Sequence, residues 1–200
     1  TIVSAVWLLA INPTSGRGKG ARIGQQVSNF LADRKLEYKV ITGANALQLQ
    51  DNLKRDSSNC SGIIAVGGDG SVNDVVQGLL GTNALLGIIP KGSGNGMART
   101  MHIPRDTNEA IKVINKGNVA AMDVAYANDR PFISNAGVAF DALISKKFAK
   151  SERRGLMVYS WLVTKHMWLY KSWDWQIVVD GKHLSERAFM VNVANGQQFG

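Results

Sequence analysis

Cysteine is almost missing from this chain: Cys60 stands alone among 200 residues. A single thiol excludes a disulfide framework and a cysteine-built zinc site, and it fits a reducing cytosol. The three histidines, His102, His166 and His183, lack the spacing of metal ligands, so no metal site is expected from them. Long apolar runs are also lacking, since none approaches the roughly 18 residues a membrane span needs. The apolar opening Thr1–Ile11 has no basic leader and runs straight into Asn12-Pro13. That reads as a buried first strand rather than a signal peptide. Acidic residues are in short supply: 15 Asp and Glu face 23 Lys and Arg, leaving a formal charge of +8. Such a balance favours anionic partners, whether nucleotide phosphates, an acidic membrane surface or nucleic acid. No aromatic-basic recognition motif accompanies the charge, so nucleic acid ranks last and is not expected as a partner.

What the chain does contain, from Val6 to about Gly117, is an alternation of short apolar runs with amphipathic stretches. Strands are predicted at Val6–Asn12, Tyr38–Thr42, Ile63–Val66 and Leu85–Ile89. Helices are predicted near Ala21–Asp33, Ala46–Asp56, Val72–Gly81 and Ile111–Asn115. Alternating units of this kind argue for an α/β fold with a mostly parallel sheet. Near Met122 the character changes. Val119–Ala127, Phe132–Ala136, Gln176–Val179 and Phe189–Ala194 read as strands, with turns at Asn128-Asp129 and Asp180-Gly181. One helical stretch, Gly155–Lys171, interrupts them. The expected division is therefore an α/β domain over 1–121 and a β-rich domain over 122–200.

Three glycine-rich loops follow apolar strands, and open parallel sheets bind ligands beyond the carboxyl ends of their strands. The first, Asn12-Pro13-Thr14-Ser15-Gly16-Arg17-Gly18-Lys19-Gly20, has P-loop composition but not Walker spacing. Its backbone N–H groups with Arg17 or Lys19 suit phosphate oxygens. The second is Gly67-Gly68-Asp69-Gly70-Ser71-Val72-Asn73, where glycines wrap a carboxylate just before a helix start. Glycines let the backbone approach a bound group, and the helix start offers free N–H donors. A carboxylate inside an anion site calls for a metal, a water or a hydroxyl proton. The plainer alternative is a turn, with Ser71 as helix N-cap. The third is Pro90-Lys91-Gly92-Ser93-Gly94-Asn95-Gly96, with Ser93 and Asn95 as short donors. Together the loops point to nucleotide binding.

Asn-Pro-x-Ser-Gly at Asn12–Gly16, Gly-Gly-Asp-Gly-Ser-x-Asn at Gly67–Asn73 and Gly-Ser-Gly-Asn at Gly92–Asn95 together resemble the diacylglycerol kinase catalytic family, which includes sphingosine and ceramide kinases and bacterial lipid kinases. The order and spacing agree from Leu8 to the C-terminus. The resemblance implies ATP-dependent phosphorylation of a lipid hydroxyl, with Mg²⁺ as cofactor. It implies an N-terminal nucleotide-binding domain followed by a β-sandwich domain, here incomplete. It places Asn12, Pro13, Thr14, Ser15 and Gly16 at the nucleotide, with Thr42 at the same site. It sets Gly67, Gly68, Asp69, Gly70, Ser71, Val72 and Asn73 along the phosphates, and brings Gly92, Ser93 and Asn95 from the third loop. Asp69 falls on the family's essential aspartate and is the expected catalytic residue. Ser71 stands where threonine is more common, keeping the hydroxyl.

Gly137-Val138-Ala139-Phe140-Asp141-Ala142 is similar to the family's Gly-x-x-Phe-Asp-Ala segment, which implies that Asp141 meets the lipid head group. Lys150-Ser151-Glu152-Arg153-Arg154-Gly155 resembles a basic stretch near the nucleotide, giving Arg153 and Arg154 to the phosphates. Lys146, Lys147 and Lys150 add to that positive field, which suits a triphosphate or an anionic lipid; a solvated helix face is the plainer reading. Met157, Val158, Trp161, Leu162, Trp168 and Leu169 recur at helical spacing, as core packing or as a lipid-admitting face. Family members continue past Gly200 into strands carrying further acidic residues, so the chain reads as part of a longer protein, with little activity expected from it alone. The expected setting is cytoplasmic, with peripheral membrane association and a homodimer as an open option. Two other readings stay open: an NAD kinase-like enzyme, which would share the Gly-Gly-Asp-Gly loop, and a non-catalytic nucleotide- or lipid-sensing module.

Overall fold

The computed structural model describes residues 6–11, 20–151 and 155–196. They form two compact units, one running to Ser134 and rejoined by Asn195 and Gly196, the other spanning Asn135–Ala194. The division thus falls at 134/135, beyond the 121/122 boundary expected from the change in sequence character.

In the first unit, strands β1 (Val6–Ile11), β2 (Tyr38–Ile41), β3 (Cys60–Gly67) and β4 (Leu85–Pro90) make one sheet in the order β2-β1-β3-β4. All of its pairings are parallel. Helices α1 (Gly20–Asp33), α2 (Ala46–Ser57), α3 (Asp69–Leu79) and α5 (Thr107–Lys116) lie between and after these strands, with a short α4 (Gly96–Thr100) ahead of α5. Side chains alternate across a strand, and β1 and β3 sort cleanly. Leu8, Ala10, Ile63 and Ala65 pack with Leu49 and Leu53 of α2 and with Val72, Val75 and Val76 of α3. Leu9, Ile11, Ile64 and Val66 pack with Ile23, Val27 and Leu31 of α1 and Ala110 and Ile111 of α5. Both sheet faces are covered, so the strands read as continuous apolar runs.

Two helix starts are set by side-chain caps. The Asn45 side chain accepts from Gln48 N at 2.9 Å while Gln48 Oε1 accepts from Ala44 N at 2.7 Å, a reciprocal cap on α2. Asp106 Oδ1 accepts from Asn108 N and Glu109 N at 2.9 and 3.1 Å, which starts α5 ahead of the predicted Ile111. The expected strand over Val119–Ala127 shrinks to β5 (Ala125–Ala127), paired with β6 (Arg130–Phe132) as a hairpin. Its turn holds Asn128 at φ 54°, a left-handed value asparagine tolerates.

In the second unit, β7 (Asn135–Ala139) pairs antiparallel with β10 (Met190–Ala194), and β8 (Trp173–Val179) with β9 (Lys182–Ala188). The predicted strand Phe132–Ala136 is in fact split between β6 and β7. The β8–β9 turn carries Asp180 at φ 50° and Gly181 at φ 76°, the double positive φ of a type I′ hairpin. Helix α6 (Phe140–Lys150), which the sequence pattern did not reveal, and α7 (Leu156–Met167) enclose a small core of Phe140, Ile144 and Leu162. Core packing accounts for only part of the apolar content of α7 and the two residues after it. Leu162 is buried, whereas Met157, Trp161, Trp168 and Leu169 are 87, 58, 82 and 82% exposed. Among the described residues no helix is long and apolar enough to cross a membrane.

Candidate active site

The carboxyl ends of β2, β3 and β4 share one edge of the parallel sheet, and two of the three glycine loops stand there among described residues. The first loop, with Asn12, Pro13, Thr14, Ser15, Gly16, Arg17 and Lys19, lies outside the described residues, as do Arg153 and Arg154. Thr42 follows β2 directly and is exposed, its carbonyl accepting from Asn52 Nδ2 at 2.9 Å.

The second and third loops are locked together through their backbones. Lys91 N donates to Gly67 O at 2.8 Å, extending the β3–β4 ladder to the loop bases. Just beyond, Gly68 and Gly92 approach so closely that neither has room for a side chain. A Cβ on Gly68 would lie 2.9 Å from Gly92 Cα, and one on Gly92 2.5 Å from Gly68 Cα. Gly70, by contrast, has open space where a Cβ would stand, and it is exposed.

Asp69 opens α3 behind the N-cap Gly68. Its Oδ1 accepts from Met97 N, in α4, at 3.1 Å. The carboxylate therefore ties the second loop to the helix that follows the third. Ser71 sits within the first turn of α3 rather than at its N-cap, correcting the capping role considered for it. Its side chain fills the space over Gly67, where a Cβ would overlap it. Val72 is buried in the core beneath the loop. Asn73 Nδ2 donates to Pro131 O at 3.4 Å, holding β6 against α3.

The third loop departs from expectation at Asn95. This side chain is buried and faces inward: Oδ1 accepts from Gly92 N at 2.7 Å and Nδ2 donates to Gly92 O at 2.8 Å. Asn95 itself adopts φ 56°, ψ 46°, a left-handed conformation that asparagine reaches more readily than most residues. It is a loop clamp rather than a donor to a ligand, and Ser93 is the exposed side chain of the turn. Lys91, which the motifs did not single out, donates from Nζ to Arg105 O at 3.0 Å. Burial pushes its ammonium pKa down, against the pull of Asp106. On α3, burial raises the Asp74 carboxyl while the Gln50 amide, 3.0 Å away, opposes that.

The described residues contain no cluster of three or more His, Cys, Asp or Glu side chains able to hold a metal ion. An apolar cavity of about 490 Å³ runs along β4, lined by residues such as Trp7, Leu86, Met97, Met101 and Ile114. Neither Gly67–Asn73 nor Gly92–Asn95 contributes to its wall, so it is separate from the glycine loops.

In the second unit, Asp141 stands in the first turn of α6. Burial raises its carboxyl pKa, and the neighbouring Asn192 amide works in the opposite direction. The phenol of Tyr159 on α7 is pushed up by burial and by the Asp141 charge. Only the β7–β10 pairing brings Asn192 to this place, so no linear motif announced it.

A parallel α/β domain with two interlocked glycine loops at its carboxyl edge, one holding a carboxylate, belongs to the class whose ligands sit at strand ends. The comparison with known proteins narrows that class. The model of the diacylglycerol kinase catalytic domain matches residues 6–127, and the chain belongs to that family. A diacylglycerol kinase of Staphylococcus haemolyticus is 34% identical over 62% of this chain and 39% of its own length. A "Probable lipid kinase YegS-like" protein of Klebsiella pneumoniae is 30% identical over 92% of this chain and 64% of its own. The crystal structure of a diacylglycerol kinase from Bacillus anthracis str. Sterne superposes with a TM-score of 0.77 at 27% identity, over 98% of this chain and 65% of that one. The chain thus spans about two fifths to two thirds of the length of these relatives.

Proposed function

We propose that this chain carries the nucleotide-binding part of a lipid kinase, which moves the γ-phosphate of ATP to a hydroxyl of diacylglycerol, a sphingoid base or a related lipid. The observation that carries the reading is the Asp69 carboxylate, fixed through Met97 N beside the paired backbones of Gly68 and Gly92. Such a surface lets a triphosphate approach the main chain while a carboxylate waits at its edge. Phosphoryl transfer asks chiefly for positioning and charge neutralisation. The lipid hydroxyl oxygen forms the new bond to the γ-phosphorus, the bond to the β-phosphate bridging oxygen breaks, and ADP leaves. Asp69 orients the hydroxyl and accepts its proton, directly or through a water. Ser93 and the backbone of Gly67–Asn73 border the phosphates. Asn12–Gly16, Thr42, Arg153 and Arg154 complete the nucleotide contacts, and Asp141 takes the acceptor's head group.

Mg²⁺ usually binds through one or two carboxylates plus substrate phosphates. Asp69 suits such a partial site, and bound Mg²⁺ would neutralise phosphate charge. The exposed Met157, Trp161, Trp168 and Leu169 support presentation of the lipid at a membrane surface by peripheral contact. Lys165 Nζ lies 4.7 Å from the Trp161 ring centroid, the mixture of tryptophan and lysine that membrane interfaces favour.

The test is transfer from γ-labelled ATP to a panel of diacylglycerol, sphingoid base and ceramide in mixed vesicles, with NAD as a competing acceptor. It is run on the 200-residue chain and on any longer natural chain that contains it. Label in a lipid is the expected result. Label in NAD, or ATP binding with no transfer to any acceptor in the longer chain, would sink the proposal.

A further inference from the structure

The second unit contains a polar group that its surroundings do not explain. Asn192 lies between Val191 and Val193 on β10, and its amide is buried beside the Asp141 carboxyl at a geometry short of a well-formed hydrogen bond. A buried amide without well-formed hydrogen bonds is costly, and an apolar side chain of similar volume would avoid that cost.

Its location supplies a reason. Asn192 pairs directly with Gly137 of β7, and paired residues in an antiparallel ladder share a face. The amide therefore stands over a residue with no side chain. Asp141 enters the same space: a Cβ on Gly137 would overlap Asp141 Oδ2 and lie 2.9 Å from Asn192 Nδ2. The carboxylate and the amide together fill the volume that a side chain at 137 would occupy. The route into α6 shows a matching constraint. Ala139, its N-cap, adopts φ 64°, ψ −119°, a conformation L residues rarely hold and one that tends to persist at functional sites. That turn takes the chain from β7 into α6 at one residue and sets Asp141 back over Gly137.

From this geometry we infer that Asn192 is a positioning residue of the acceptor site, holding the Asp141 carboxylate in place against the bare Gly137 floor for a hydroxyl-bearing lipid head group. The inference rests on the proposed role of Asp141 in acceptor binding. The titration of the carboxyl agrees with it, since the Asn192 amide opposes the rise that burial imposes. Of the elements packed on α6, β7 and β10 carry no titratable side chain, and α7 presents Tyr159, which feels the Asp141 charge. Lys146, Lys147 and Lys150 share α6 with Asp141.

The experiment compares wild type, Asn192→Leu and Asn192→Ser in the longest natural chain that contains this sequence. It uses lipid kinetics across pH together with carbon NMR titration of the Asp141 carboxyl. Without the amide, the carboxyl pKa rises further, so the acidic limb of kcat/KM for lipid moves to higher pH. The lipid KM rises about tenfold, the order of a polar contact that closes to a hydrogen bond with a charged group once the head group is bound, while kcat stays within about twofold. Asn192→Ser, which retains a donor, recovers most of the wild-type limb. A folded Asn192→Leu protein with an unmoved carboxyl titration and lipid KM overturns the inference. Should Asn192→Leu fail to fold, Gly137→Ala, which must displace the carboxylate, gives the same KM rise, and an unchanged KM there overturns it as well. A carboxyl shift in a protein whose wild type phosphorylates no lipid supports the Asn192–Asp141 coupling and overturns the acceptor reading instead.

Discussion

Asp69 has one observed contact and one proposed role, and different substitutions separate them. In the proposed mechanism its carboxylate faces the chemistry, and through Oδ1 it receives the Met97 N–H that anchors α4. Asparagine keeps an acceptor oxygen at that place but gives up the negative charge. Asp69→Asn is therefore expected to melt within about 2 °C of wild type while kcat falls on the order of a hundredfold to ten-thousandfold, the range of a lost general base. Asp69→Ala loses the Met97 bond as well, at about 1 kcal/mol, and melts about 2–4 °C lower. Parallel melting curves and labelled-ATP turnover check both. Turnover preserved in Asp69→Asn would confine the residue to its structural role. The sequence marks Asp69 as chemically special, because a carboxylate among glycines is hard to explain otherwise. It conceals the Met97 contact, which spans 28 residues and depends on where β4 and α4 place a backbone amide. Asn95 shows the opposite error. Its composition and position suggest a ligand donor, yet both of its polar atoms are spent on Gly92.

At the scale of elements, the glycine loops separate residues that look alike in sequence. Gly68 and Gly92 exist for each other: the main chains of two loops meet where no Cβ fits. Backbone cannot swing aside as a side chain can, so Gly92→Ala forces the loops apart. It should cost about 1–3 kcal/mol, the usual penalty of overpacking, and weaken ATP binding along with it. Gly70 has space, exposure and a helical setting, so Gly70→Ala should hold stability or raise it by about 0.5–1 kcal/mol. Denaturant unfolding and ATP titration calorimetry on both variants test the distinction. A Gly70→Ala protein that is stable but binds ATP poorly would mark Gly70 as the position where a ligand approaches. Equal destabilisation by both substitutions would contradict the assignment. The three-glycine motif marks the loop without ranking its glycines. Which glycine is packed and which stands open follows from the parallel register of β3 against β4, and a linear pattern does not display it.

Across the whole molecule, legibility follows the length of each periodic signal. The parallel sheet was readable because β1, β3 and β4 carry unbroken apolar runs, each followed by an amphipathic helix. The second unit was harder to read. Helix α6 begins after a residue at φ 64°, a turn no sequence preference for alanine predicts, and β9 is mostly polar and almost wholly exposed. The division into compact units lies beyond the 121/122 boundary for a related reason: the β5–β6 hairpin looks like the start of a β domain, yet Ile133 just beyond it is buried in the core of the first unit.

The same contrast predicts how stability is distributed. The first unit holds two extended apolar clusters, one on each face of its sheet, whereas the fully buried core of the second is Phe140, Ile144 and Leu162. Among the described residues strands β8 and β9 pair only with each other, with Trp173, Val178, Val179 and Leu184 exposed. A two-stranded hairpin is marginal in water without a face to pack on. Local opening free energy follows buried apolar contact, from near zero in exposed segments up to the global value in core strands. In hydrogen exchange on this 200-residue chain, amides of Ile63–Val66 and Leu8–Ala10 should therefore exchange only through global unfolding. Those of β8 and β9 should exchange at least about a hundredfold faster through local opening, and α6 and α7 should fall between. Uniform protection across both units would show that the second is stabilised by more than its own core. In that case the exposed Trp161, Trp168 and Trp173 would have to be buried against something, which quenching of tryptophan fluorescence by iodide would reveal as low accessibility.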